Sequence, residues 1–158
     1  MHMDDLLHRG ANPNATNRHG QTPLGTLAFN SPMNEREYRL QMMKKLTEHD
    51  ADVNHSGQHD MSPFHDVCRS GWDEAASHLL RRGARIDSTY HAPSWTALHL
   101  AARRGHTSTV DLLLSKGADA DRMDDSGQTP ADIAHKNDWT EISKRITDAS
   151  RRRRSGFP

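Results

Sequence analysis

The feature that most constrains the fold of this chain is a short motif that occurs four times at nearly constant intervals. Its copies begin at positions 22, 62, 96 and 129, so the intervals are 40, 34 and 33 residues. A second marker, Gly-Ala or its variant Asp-Ala, begins at positions 10, 50, 83 and 117, with intervals of 40, 33 and 34. Because two independent markers keep one register, the sequence predicts a repeat architecture and not one central core.

The most regular copy, residues 95–119, predicts two short helices followed by a loop. Thr96 is expected to cap the first helix through its hydroxyl, and the Pro that follows the capping residue in the other three copies suits a first helical turn. Gly105 separates the two helices, and Gly117 is expected to end the second in a left-handed conformation. One such pair cannot bury its own apolar face, so neighbouring pairs must stack. The expected apolar stripes are Leu98, Ala101 and Ala102 in the first helix, and Val110, Leu113 and Leu114 in the second.

The motif of this copy, Thr-Ala-Leu-His-Leu-Ala at residues 96–101, resembles the T-P-L-H-x-A signature of ankyrin repeats, whose period is about 33 residues. The resemblance covers residues 5–147. It implies an all-α fold, a solenoid of about three and a half to four stacked antiparallel helix pairs with projecting finger loops. We expect residues 1–16 to form a partial N-terminal repeat, residues 17–148 the ankyrin repeats, and residues 149–158 a basic, disordered tail.

Composition agrees with a thin stack of helices. Only 33% of the residues are hydrophobic and the mean hydropathy is −0.93, which suits small packing residues and polar loops. The net charge of zero combines unlike parts, because Arg151–Arg154 carry four positive charges, whereas residues 1–150 hold 17 basic and 21 acidic side chains. Asn30–Arg36 is a seven-residue insertion, which we interpret as a tolerated loop or as a contact for a specific partner.

Cysteine content and apolar runs bound the location and the chemistry. A single cysteine cannot form an intrachain disulfide, and no run has the length of a membrane helix, so we expect an intracellular protein, cytoplasmic or nuclear, with no membrane partner. Cys68 replaces the small Ala102 of the regular copy and is expected to pack in the core. Nucleic-acid binding through Arg151–Arg154 is disfavoured because no aromatic residues alternate with the arginines.

The histidines raise the alternative of an enzyme or a metal-dependent protein. The resemblance implies structural roles for His65, His99 and His106. Among the other histidines, the notable ones for such a function are those of the finger loops, namely His19, His55, His59 and His91. No metalloprotease spacing, phosphate-binding loop or nucleophile motif accompanies them, so we expect no catalysis, no cofactor and no metal.

The resemblance places a partner-binding surface in a concave groove formed by the finger tips and the ends of the first helices. The corresponding residues are Arg18, His19, Gln21, Gln58, His59, Met61, Arg69, Ser70, His91, Trp95, Arg103, Arg104, Asp125, Ser126, Gln128, Lys136 and Asn137. Four of them are cations on one row, so a monomeric module that binds an acidic or carboxylate-bearing segment of another protein is expected. Trp95 either anchors that partner or packs on Tyr90. Inhibition of a kinase or a transcription factor is the alternative within the same class.

Overall fold

A computed structural model describes residues 3–29, 31–57, 61–90 and 92–156 of the chain. Every regular element in these ranges is helical and none is a strand, which confirms the predicted all-α class. The helices are α1 (Met3–His8), α2 (Pro23–Ala28), α3 (Arg36–Glu48), α4 (Pro63–Arg69), α5 (Asp73–Arg81), α6 (Ala97–Arg104), α7 (Thr107–Ser115), α8 (Pro130–Lys136) and α9 (Thr140–Ser155). The chain forms two compact units: a first unit of Met1–Val67 with Glu74–Ala84, and a second unit of Cys68–Asp73 with Arg85–Pro158.

Local capping chemistry starts the first helices of the second unit. At α6 the Thr96 hydroxyl accepts the backbone N–H of His99, and the Thr96 N–H donates to Nδ1 of the same imidazole at 3.2 Å. At α8 the Thr129 N–H donates to the Asp132 carboxylate at 2.9 Å, so an aspartate replaces histidine in the same reciprocal cap. The predicted caps are therefore confirmed, and they follow from residues three positions apart.

The core of the second unit lies between successive helix pairs. Helix α6 packs on α8, α7 packs on α9, and each pair also packs within itself. Alanines in these helices let the backbones approach closely, while longer side chains fill the space between them. The fully or nearly fully buried residues of this core include Leu98, Ala101, Ala102, Val110, Leu113, Ile133, Ala134, Ile142 and Ile146.

The first unit contains α2 packed on α3, with α1 also in contact with α3. Its buried residues include Leu24, Met43 and Leu46. Leu6 and Leu7 match Leu113 and Leu114 of the regular copy, and the sequence predicts that both are less covered than those residues. This is correct for Leu6, which is 42% exposed, but not for Leu7, which is buried.

The insertion supplies a hydroxyl that caps the end of α2 and a single 3₁₀ turn before α3. The Ser31 hydroxyl donates to the Leu27 carbonyl at 2.6 Å and so closes the end of α2. A 3₁₀ turn at Met33–Glu35 then leads into α3. Residue 30, the first of the insertion, lies outside the described residues.

Neighbouring repeats are joined by a ring that follows the helix-separating glycine. The His106 Nε2–H donates to the Arg69 carbonyl at 3.0 Å. One repeat later, the Trp139 indole N–H donates to the Arg103 carbonyl at 3.2 Å. The two bonds reach carbonyls at the ends of α4 and α6, where the last carbonyls of a helix are available to donors from outside it.

Two glycines make room for these rings. A Cβ on Gly71 would lie 2.8 Å from Nδ1 of His106, and a Cβ on Gly105 would lie 2.5 Å from the Trp139 ring. Both glycines also have left-handed backbones, with φ of +66° and +74°. Glycine is therefore required for its conformation and for the close approach of the next repeat.

His99 forms a second link between repeats. Its Nδ1 accepts from the Thr96 hydroxyl at 2.9 Å, so Nε2 carries the proton and donates to the Gln128 carbonyl at 3.2 Å. Burial lowers the pKa of His99, although the Gln128 carbonyl and the Asp124 carboxylate act in the opposite direction. The imidazole is therefore neutral and bridges two repeats, as the resemblance implied.

The structure departs from the expected disordered tail, since residues 149–155 continue α9. The Ser150 hydroxyl donates to Asp121 at 2.7 Å, and Arg154 pairs with the same carboxylate at 2.9 Å. The hydrogen bond from Ser150, followed by Arg154, lowers the pKa of Asp121. Asp121 thus pairs with the basic end of α9, and the run of arginines in the sequence does not by itself reveal this contact.

We expect Gly105→Ala to destabilise the protein more than Gly127→Ala. Both glycines have φ of +74°, but a Cβ on Gly127 meets no atom within 4 Å. The control should lose about 1–2 kcal/mol from left-handed strain alone. Gly105→Ala should lose roughly 1 kcal/mol or more beyond that, because the Trp139 ring must move. Urea denaturation measures both values, and equal losses would contradict the glycine–ring contact.

Leu113→Ala should lower the free energy of unfolding by about 2–5 kcal/mol, since Leu113 is fully buried and the change leaves a cavity. The adjacent, half-buried Leu112→Ala serves as the control and should lose less. A loss below about 0.5 kcal/mol for Leu113→Ala would show that the helix pairs do not stack as described.

Stability should fall on mild acidification, and His99 should contribute to the fall. The folded pKa of His99 lies below its unfolded value of about 6.5, so the unfolded chain binds more protons. The contribution is complete above about pH 6.5 and is lost as the pH falls below it. Chemical denaturation between about pH 7 and pH 5 should show a smaller loss for His99→Gln than for the unaltered chain. Identical slopes would contradict a buried neutral imidazole.

Candidate interaction surface

The sequence-predicted site residues divide between the two units. Those in the first unit are Arg18, His19, Gln21 and Met61. Those in the second unit are Arg69, Ser70, Trp95, Arg103, Arg104, Asp125, Ser126, Gln128, Lys136 and Asn137. Gln58, His59 and His91 lie outside the described residues.

Trp95 is held inside the second unit. Only 9% of it is exposed, its indole N–H donates to the Asp124 carboxylate at 2.8 Å, and its ring stacks on His99 with 6.3 Å between centroids. Packing is what the structure shows for Trp95, and its main partners are Asp124 and His99.

Asp124 connects the tryptophan to the next finger loop. Burial by itself would raise the pKa of this carboxyl, but hydrogen bonds from the Gln128 N–H, the Trp95 indole and the Ser126 N–H outweigh it and lower the pKa. The ionised carboxylate thus orders its own loop and fixes the ring of Trp95.

An arginine side chain lies over the Trp95 ring. The Arg103 guanidinium lies 5.0 Å from the centroid of the Trp95 ring, which is a cation–π distance. Burial raises the pKa of Tyr90, and the positive charges of Arg103 and Arg69 oppose that shift. We call Tyr90, Trp95, Arg69 and Arg103 the aromatic–arginine cluster.

A row of cations extends from this cluster. Arg69, Arg103 and Lys136 stand at the same repeat position near the ends of α4, α6 and α8, and Arg104 follows Arg103. Arg103, Arg104 and Lys136 are exposed. We call these four residues the basic row. A structural reason for cations here is the negative end of each helix dipole, and the same exposure leaves them accessible to an anion.

Sequence reasoning missed two aromatic residues of this region. Tyr90, considered only as a neighbour of Trp95, belongs to the cluster, and Trp139 is 43% exposed beside Arg103. A signal for Trp139 was present, since it holds the repeat position of Trp72 and His106. Asn137, in contrast, uses its side-chain N–H to cap the Ile133 carbonyl at 2.8 Å.

In the first unit, the structure brings three predicted residues together around one pocket of about 210 Å³. Its lining is His19, Gln21, Thr22, Gly25, Phe29, His55, Gly57, Met61 and Asp66. The His55 Nε2–H donates to the Gly20 carbonyl at 3.1 Å and ties the two finger loops together. Arg18 does not line this pocket, and its Nε lies 3.3 Å from Nε2 of His19.

Cys68 and the metal-ligating residue types are the other candidates for chemistry among the described residues. Cys68 is fully buried and its pKa is raised, chiefly by burial, so it is not an activated nucleophile. Among the residues that the structure describes, no three His, Cys, Asp or Glu side chains are grouped to hold a metal ion. His59 and His91 lie outside this set, so their metal-binding alternative stays a prediction. Within the described helices, none combines the length and apolar character of a membrane span.

Comparison with known proteins gives relatives that are much longer than this chain. It is 29% identical over 133 residues to a transient receptor potential cation channel subfamily A member 1 homologue of Caenorhabditis elegans, an alignment that covers 84% of this chain and 10% of that protein. It is 33% identical over 86 residues to the ARF GTPase-activating protein Git of Drosophila melanogaster, covering 54% of this chain and 12% of that protein. The human ARF GTPase-activating protein GIT1 aligns similarly, with 33% identity over 85 residues, 54% of this chain and 11% of that protein.

The chain therefore spans about a tenth of the length of these curated relatives. A family model of ankyrin repeats matches residues 64–150 with 3 copies, which is more than half of the chain. This match agrees with the helix pairs, the histidine links and the glycine–ring contacts described above. The chain belongs to the ankyrin-repeat family, whose repeats form a protein-interaction fold and not a catalytic one.

Proposed function

We propose that this chain is a non-catalytic interaction module that binds an acidic or carboxylate-bearing segment of another protein at the basic row. The observation that carries the proposal is the placement of Arg103 over Trp95, whose indole is itself fixed by Asp124. A guanidinium held on a rigid aromatic ring loses little freedom on binding, and it presents a planar fork that matches a carboxylate.

Charge and spacing support the acidic character of the partner. Arg69, Arg103 and Lys136 recur once per repeat, so an extended segment with carboxylates meets one cation after another. Like charges along one row raise the rate of encounter with an anionic partner and disfavour basic ones. Exposed Trp139 and partly buried Tyr90 add apolar area beside these cations, and an aromatic–arginine mixture is typical of binding hot spots.

In the relatives, the segment that matches this chain is a small part of a much longer protein. Their names describe a cation channel homologue and GTPase-activating proteins, and this chain corresponds to about a tenth of each. We propose that the chain supplies binding and not those whole-protein activities. The alternative of an inhibitor acting on a kinase or a transcription factor stays a prediction, as does a monomeric state.

We expect charge reversal in the basic row to remove partner binding without unfolding the protein. Arg104→Glu with Lys136→Glu changes two exposed side chains, so the melting temperature should fall only by the small helix-dipole contribution of each cation. Affinity for the partner captured from a native extract should fall at least about tenfold and should depend strongly on salt. The matched control is Arg151→Glu with Arg152→Glu, two exposed arginines of α9.

Amide-shift mapping with the captured partner tests the location independently of energetics. The shifts should centre on the ends of α6 and α8. Shifts that cluster instead on residues 40–45 of α3 or on the insertion around Pro32, or equal losses in both double variants, would contradict the proposal.

A further inference from the structure

The first repeat lacks a side chain that two other repeats share. Three residues after the capping Ser or Thr, the second and third repeats carry His65 and His99, and the first repeat carries Gly25. Both histidines are buried and bond to the residue that caps their own helix. Gly25 leaves the corresponding place without an imidazole.

The pocket of the first unit occupies that place, as the surroundings of His99 show. The groups that contact or act on the His99 imidazole belong to Trp95, Thr96, Arg122, Asp124 and Gln128. The same repeat positions in the first unit are Gln21, Thr22, His55, Gly57 and Met61. All five of these residues line the pocket of about 210 Å³. The pocket therefore lies where the imidazole of His99 lies in the third repeat.

The hydrogen-bonding groups that serve a ring are also retained. Thr22 is buried and its hydroxyl accepts the Gly25 N–H at 3.2 Å, as the Thr96 hydroxyl accepts from His99. In the third repeat the hydroxyl proton goes to Nδ1 of the imidazole, and the ring Nε2–H goes to a carbonyl at the position that Met61 holds here. By this correspondence, the first repeat keeps a hydroxyl at Thr22 and a backbone carbonyl at Met61, two residues that line the pocket.

We propose that this pocket binds a planar heteroaromatic ring of imidazole size that has one acceptor and one donor nitrogen. Such a ring is available from a histidine side chain of a partner protein or from a free small molecule. The first source rests on the proposed interaction function, and the second does not. The size is adequate, because a cavity of about 150 Å³ is enough to hold benzene.

The test uses two substitutions at one position. A Cβ on Gly25 meets only the Thr22 hydroxyl, at 3.5 Å, so a side chain fits without backbone strain. Gly25→His supplies the missing ring and should fill the pocket, with a higher melting temperature. Gly25→Ala is the matched control, since it also removes a helical glycine but leaves most of the pocket open.

Imidazole itself is the probe, titrated at about pH 8, where the ring is mostly neutral. Amide shifts in the unaltered chain and in Gly25→Ala should saturate in the millimolar range and centre on Thr22, Met61 and the residue at position 25. In Gly25→His the affinity should fall at least about tenfold. Pyrrole, which has a donor but no acceptor nitrogen, should bind more weakly than imidazole, because the Thr22 hydroxyl then lacks its partner.

A second probe, acetyl-histidine methylamide, distinguishes the sources. Tighter binding than imidazole supports a partner histidine, and equal or weaker binding supports a free ring. Absence of saturable shifts at the pocket, or equal shifts in Gly25→His, would overturn the inference. Because neither probe is acidic and no partner protein is present, this result is independent of the charge-reversal experiment at the basic row.

Discussion

The structure depends on how closely one helix pair can approach the next. At Gly105 the backbone of one repeat touches the Trp139 ring of the following repeat, and at Gly71 it touches His106 in the same way. Each ring also satisfies a carbonyl at the end of the preceding first helix. A side chain at either glycine would hold the repeats apart, and the alanines packed between them would lose their contacts. The helices α6, α7 and α8, of seven to nine residues, are marginal in isolation and gain stability from this stacking.

Buried polar groups then determine which arrangement of the stacked pairs is formed. His99 connects its own cap to the Gln128 carbonyl, and Asp124 connects the Trp95 indole to a loop of the next repeat. An unpaired donor or acceptor in these places would cost about 1–3 kcal/mol, so the links specify register as well as stability. The same links make a rigid base for Arg103. The bonds that satisfy buried polar groups thus also fix the base of the binding surface that we propose, and the cations of that surface lie at exposed helix ends.

The first repeat departs most from the others, and its departures are of two kinds. The insertion lengthens the connection between α2 and α3 and is absorbed by a cap from Ser31 and one 3₁₀ turn. Gly25 removes a ring and leaves a pocket, while His55 ties the adjacent finger loops by bonding to the Gly20 carbonyl. Glycine inside a helix and an unfilled space both reduce stability. Both features are expected to lower the stability of the first repeat, and the proposed binding of a ring gives the pocket a role that packing does not.

The sequence by itself determined the repeat period, the helix pairs, the caps and the buried stripes around Leu113. Those features depend on residues a few positions apart, so they can be recognised in a single sequence. It also placed the basic row, since cations at one repeat position are visible without coordinates. Tertiary structure alone decided that Trp95 is buried, that residues 149–155 extend α9, and that Gly25 opens a pocket. Each of these depends on groups about 29 to 36 residues away in sequence, namely Asp124 for Trp95, Asp121 for the end of α9, and Met61 for the pocket at Gly25. Periodicity shows which residues share a face, whereas burial and cavities depend on what the adjacent repeat places against that face.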